Sequence, residues 1–196
     1  MHIYCFGSIA RGEMAKGSDI DLLAIVDEQE DRECLDGEKY LIYSYDKLAD
    51  LWREGSRFAW LIYTEAKPIF SHNNKDFVKE LGVPSPYARR FKDSENFYLI
   101  FKDARDSIQS GNTCATFDLS TIFFAIRSLA ISYSLKEEST TTFSRKSSLK
   151  LGDKSLKIDQ DTFEILNKAR LLATRAYGEP LNKDEIKQVL ESIPVI

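Results

Sequence analysis

The stretch that most constrains this chain lies near its start. From Cys5 to Val26 it reads "CFGSIARGEMAKGSDIDLLAIV". An apolar run enters Gly7-Ser8, a polar loop follows, and the chain returns to an apolar run through Asp19-Ile20-Asp21. Carboxylates inside a hydrophobic strand are costly to desolvate, so a fold that keeps two there must give them a partner. His2–Phe6 and Ile20–Val26 both read as strands. Residues two apart on a strand share a face, which would aim Asp19 and Asp21 the same way. Like charges side by side repel unless a cation lies between them. Hard cations such as Mg2+ are held by one or two carboxylates together with substrate phosphates. Gly7-Ser8 would open a short helix, "SIARGEM", whose N-terminal N–H groups suit an anion. Glycine allows close approach there, and serine adds a hydroxyl. A phosphate cradle beside a two-carboxylate cation site is the chemistry of phosphoryl or nucleotidyl transfer.

The rest of the chain divides near the Pro-rich turn Gly82–Pro86. Before it, Glu38–Ser44 is a third strand. Ser44 caps a helix that stops at Gly55, Ser56 starts another that ends before Pro68, and Ile69–Ser71 is a short last strand. "NNKDFVKEL" is a small helix. After the turn, long helical patterns take over. Ser94 is expected to cap a helix through about Ser110, and a second helix over about Thr116–Leu135 is apolar enough to be the centre of a bundle. The polar "KEESTTTFSRKSSLKLGDKS" reads as a mobile loop. A third helix spans about Asp161–Tyr177, closed by Gly178, and Asn182 with Glu185 forms a capping box for a last one. The expected architecture is α+β: a small mixed sheet with flanking helices over 1–84, then an all-helical bundle over 85–196.

The sequence "FGSIARGEMAKGSDIDLL" resembles the minimal nucleotidyltransferases of the DNA polymerase β-like nucleotidyltransferase superfamily. The shared motif is Gly-Ser, a spacer of roughly ten residues, then Asp-hydrophobic-Asp; here Ile9 to Ser18 separate Ser8 from Asp19. The resemblance implies that Gly7 and Ser8 hold a triphosphate and that Asp19 and Asp21 bind Mg2+ and act in catalysis. The donor would be an NTP, with ATP expected, and the acceptor an unidentified hydroxyl of a small molecule or protein. Arg11 would either reach a phosphate or pair with Glu13 or Asp27.

The family usually adds a third carboxylate on a later strand, and the matching strand here, "EKYLIYSYD", has no acid at its centre. Asp46, just beyond it, is the preferred substitute, with Glu38 the other candidate. The plain alternative for Asp46 is an acid in the first turn of a helix, where it favours the dipole. A nucleotide-binding or protein-interaction module with weak or no catalysis is therefore the second reading.

Bulk properties exclude some classes. The net charge of −4 does not mark a general nucleic-acid binder. The first 84 residues hold 10 basic and 16 acidic side chains, and the remainder 17 and 15. An acidic half would suit a cation site, or is ordinary surface scatter. No uninterrupted apolar run of spanning length and no leader pattern stand out, so a cytoplasmic chain without a membrane partner is expected. Cys5, Cys34 and Cys114 are far apart and read as reduced thiols. Oligomer formation is left open.

Overall fold

A computed structural model describes residues 1–14, 18–27, 33–111, 114–135 and 142–193. Two compact units form: Met1–Arg89 with Thr141–Ser144, and Arg90–Thr140 with Arg145–Ile196. The fold is α+β.

In the first unit, β1 (His2–Phe6) leads into α1, a single turn over Gly7–Ala10. Next come β2 (Asp21–Ile25), β3 (Tyr40–Tyr43), α2 (Tyr45–Arg53), α3 (Arg57–Glu65), β4 (Lys67–Ser71) and α4 (Phe77–Leu81). The four strands are ordered β3-β2-β1-β4. β1 is antiparallel to both neighbours, whereas β2 and β3 run parallel. Tyr4 and Phe6 of β1 pair with Leu23 and Asp21 of β2. Tyr4, Phe6, Leu23 and Ile25 share one face, packed with Leu48 and Trp52 of α2, Ala59 and Ile62 of α3, and Val78 of α4. Local chemistry explains the helix starts. Ser44 accepts from the Lys47 N–H at 3.2 Å, Ser56 from Ala59 at 3.1 Å, and Asp76 from Lys79 at 3.2 Å. Gly82–Pro86 is held on this unit: Trp52 Nε1 donates to the Gly82 carbonyl and Trp60 Nε1 to that of Ser85.

The second unit is built on α5 (Arg90–Gln109), α6 (Ala115–Ser134), α7 (Gln160–Arg175) and α8 (Lys183–Ser192). Phe101, Leu119, Ile122, Phe123, Leu166 and Val189 centre its core. α6 is long and apolar enough to cross a membrane by length and composition, and 61% of that window is buried. Sequence expectation and structure differ at three points here. Ser94 lies inside α5, which starts four residues earlier. Ala176, in the left-handed region at φ 48°, closes α7 in place of Gly178, and Asp159 caps its start. The loop expected to be mobile is packed over its described part: Phe143, Ser144, Ser147 and Ser148 are buried, and two short 3-10 turns cover Ser147–Leu149 and Gly152–Lys154. Its residues 136–141 lie outside the described set. The Asn182–Glu185 capping box forms as expected.

Candidate active site

The end of β1 and the start of β2 meet at one end of the sheet. Phe6 pairs with Asp21, so the residue after Phe6 falls beside the Asp21 carboxylate. That residue is Gly7, at φ +73°, where an L side chain is strained. A Cβ built on Gly7 would stand 2.1 Å from Asp21 Oδ2. Asp21 therefore fills the space that any other residue at position 7 would need. By the strand period Asp21 shares its face with Leu23 and Ile25, and it remains half-buried at the margin of that core.

Asp19 departs from expectation. The ladder begins at Asp21, Ile20 is 62% exposed, and Asp19 is exposed and precedes the strand. The two carboxylates are near in sequence, but only Asp21 is fixed by the sheet. Ser8 lies in α1, which is four residues long. One turn sums few peptide dipoles, so the helix-terminus argument for an anion contracts to the unpaired N–H groups of that turn.

The structure does not bring Asp46 to this end. β2 and β3 are parallel, with Leu22 opposite Tyr40 and Ile25 opposite Tyr43. Asp46 follows Tyr43 and so lies past the Ile25 end, whereas Asp21 begins β2. Four residues of strand separate the two ends, roughly 13 Å at about 3.3 Å per residue. The neighbouring Tyr45 confirms the location, since its hydroxyl meets His2 Nδ1 at 2.6 Å and His2 pairs with Ile25. Asp46 is exposed in the first turn of α2, the ordinary place for a dipole-favouring acid. Glu38 is at the Asp21 end, in the exposed turn before β3, where its N–H donates to Asp36 Oδ1 at 3.0 Å. β3 itself, Tyr40–Tyr43, carries no acid.

Arg11 has a definite environment. Its Nε donates to Glu13 Oε2 at 2.9 Å and a terminal nitrogen donates to Glu65 Oε2 at 2.5 Å. Glu13 was among the partners expected from sequence; Glu65, 54 positions away, was not. The available signal was the lone acid closing the largely apolar "RFAWLIYTE", since a buried carboxylate needs a cation.

The donor set suits a hard cation. It consists of one carboxylate pinned at a strand start and a second, exposed one two residues before it, leaving further ligands to a phosphate. Among the described residues, no group of three or more His, Cys, Asp or Glu could hold a metal ion. The small mixed sheet with its flanking helices fits an α+β nucleotidyltransferase fold. Residues 2–82 match the family model described as "Nucleotidyltransferase domain". That match lies within the first unit and fits its α+β fold. No curated protein matches the chain.

Proposed function

We propose that this protein is a Mg2+-dependent nucleotidyltransferase that moves a nucleoside monophosphate from an NTP, with ATP expected, to a hydroxyl of a small molecule or protein. The observation that carries the proposal is the Gly7–Asp21 juxtaposition inside the residues that match the nucleotidyltransferase family model. Asp19 and Asp21 would hold the cation, which when bound offsets triphosphate charge and polarises the phosphorus under attack. Gly7 lets the backbone approach the phosphates without a side chain in the way, and Ser8 offers its hydroxyl and N–H. In the reaction the acceptor oxygen bonds to the α-phosphorus, the bond to the β-phosphate oxygen breaks, and pyrophosphate leaves. The hydroxyl proton is lost to a base or to water. Asp46 has no part in this scheme.

One observation favours a second reading. With no acid on β3, no strand-borne carboxylate among the described residues faces Asp21, which fits a nucleotide-binding module with weak catalysis. One set of measurements separates the two. Calorimetric titration with each NTP, with and without Mg2+, reads binding, and pyrophosphate release with a panel of hydroxyl acceptors reads turnover. Asp21→Asn and Asp19→Asn should abolish Mg2+-dependent NTP binding and leave the fold intact. Unchanged Mg2+ dependence in both variants would place the site elsewhere. Binding without turnover across the panel would select the second reading.

A further inference from the structure

The contacts of Arg11 join parts of the chain that the proposed chemistry leaves unconnected. Arg11 directly follows the α1 turn, and its N–H donates to the Gly7 carbonyl at 3.2 Å. The Glu13 N–H donates to the Ser8 carbonyl at 2.8 Å. The loop behind the Gly-Ser turn is thus tied to that turn by its backbone. The side chains carry the tie outward. The Arg11 guanidinium, 15% exposed, engages Glu13 on one side and Glu65, 3% exposed at the end of α3, on the other. Glu13 is gripped again by Ser144, whose hydroxyl donates to Glu13 Oε1 at 2.6 Å across 131 positions of sequence. Ser144 is 1% exposed and the preceding Phe143 is 3% exposed.

We propose that Arg11 is a positioning residue for the nucleotide site, acting through Glu13 and Glu65 without contacting phosphate, and that Ser144 completes the clasp. The role rests on the reading of the first unit as an NTP site. Two physical points support it. A guanidinium held by two carboxylates already has its charge answered, and drawing it to a phosphate would break its ion pair with the buried Glu65. The rigid fork of arginine also fixes direction, so the loop that begins at Gly7 is set at one angle to the end of α3. Gly7 is the residue against the Asp21 carboxylate, so a loop that drifts moves the Gly-Ser turn relative to Asp21. A displacement of about 1 Å can cost on the order of 10²-fold in rate.

The test uses the full chain with each of the four NTPs and Mg2+, comparing Arg11→Lys, Arg11→Gln, Glu65→Gln, Ser144→Ala and the Arg11→Gln/Glu65→Gln double variant. Lysine binds phosphate well as a point charge but cannot span two carboxylates with a planar fork. Positioning therefore predicts that Arg11→Lys weakens NTP binding as much as Arg11→Gln. Glu65→Gln weakens it too, the double variant is no worse than the weaker single, and Ser144→Ala gives a smaller loss. Amide hydrogen exchange of the unliganded protein should speed up at residues 7–13 in the Arg11 and Glu65 variants. Melting curves exclude any variant that fails to fold, and the isosteric Glu65→Gln retains a test if both Arg11 variants fail. Near wild-type affinity in Arg11→Lys with a neutral Glu65→Gln would assign Arg11 to the phosphate and overturn the proposal. Additive losses in the double variant would also overturn it. If the wild-type protein binds none of the NTPs, the nucleotide reading fails and this role with it, while the exchange data still show whether the clasp holds the loop.

Discussion

Gly7 and Gly12 form a matched pair for isolating the close approach at the site. Both have left-handed backbone, at φ +73° and +72°. An added Cβ at Gly12 meets nothing within 4 Å, whereas at Gly7 it meets Asp21 Oδ2 at 2.1 Å. Alanine in the left-handed region costs about 1–2 kcal/mol wherever it stands, so Gly12→Ala should destabilise by about that amount. Gly7→Ala adds the retreat of the Asp21 carboxylate, which must move roughly 1 Å to reach the closest tolerated contact. Forcing a side chain about 30° off its rotamer costs about 0.5–1.5 kcal/mol. The total for Gly7→Ala is then about 1.5–3.5 kcal/mol. Urea unfolding followed by tryptophan fluorescence reads it cleanly, because both tryptophans, Trp52 and Trp60, are buried in the first unit. Mg2+-dependent NTP binding should be lost in Gly7→Ala and kept in Gly12→Ala. Equal unfolding shifts and equal NTP affinity in the two variants would refute the claim that Gly7 is glycine because of Asp21.

Other outcomes follow from single contacts. Asp46→Asn should leave pyrophosphate release unchanged and cost only about 0.3–1 kcal/mol through the lost helix-start charge; a large fall in turnover would contradict its place at the far end of the sheet. Gly55→Ala would set a Cβ 2.3 Å from the Ser85 carbonyl oxygen and 2.4 Å from that of Pro86, at φ +60°. Neither backbone can yield easily, so a loss above about 3 kcal/mol is expected, at the severe end for one substitution. His2 is buried, with Nε2 donating to Asn73 Oδ1 at 3.2 Å and Nδ1 accepting from the Tyr45 hydroxyl at 2.6 Å. Burial lowers its pKa from 6.5, and the nearby terminal ammonium and His72 push the same way. The unfolded chain therefore takes up the proton first: the His2 contribution is complete above about pH 6.5 and is lost as pH falls below it. Urea midpoints measured from pH 8 to pH 5 should fall across that window in wild type, and less in His2→Gln.

Local chemistry was legible in the sequence where it acts within about four residues. The limits of β1, the Ser44 and Ser56 caps, the Asn182–Glu185 box and the apolar α6 all follow from neighbouring side chains and periodicity. The Gly-Ser turn and Asp21 were legible for the same reason, as a motif with fixed spacing, and both lie within residues 2–82 that the family model matches. Two helix boundaries fell away from their expected local signals. α5 starts before its Ser94 signal, and α7 ends at Ala176 ahead of Gly178. The position of Asp46 was not legible at all. Its distance from Asp21 depends on whether β3 runs parallel or antiparallel to β2, and no residue in either strand encodes that direction. The parallel pairing carried Asp46 to the His2 end and left Glu38 at the site end. The Arg11 clasp was half legible. Glu13 is two residues away, but Glu65 and Ser144 reach Arg11 and Glu13 only after the sheet, α3 and the returning 142–144 segment have come together. Sequence named the candidate groups for phosphate and cation, because that chemistry is local; tertiary structure decided which of them share one end of the sheet, because that depends on strand direction and chain return.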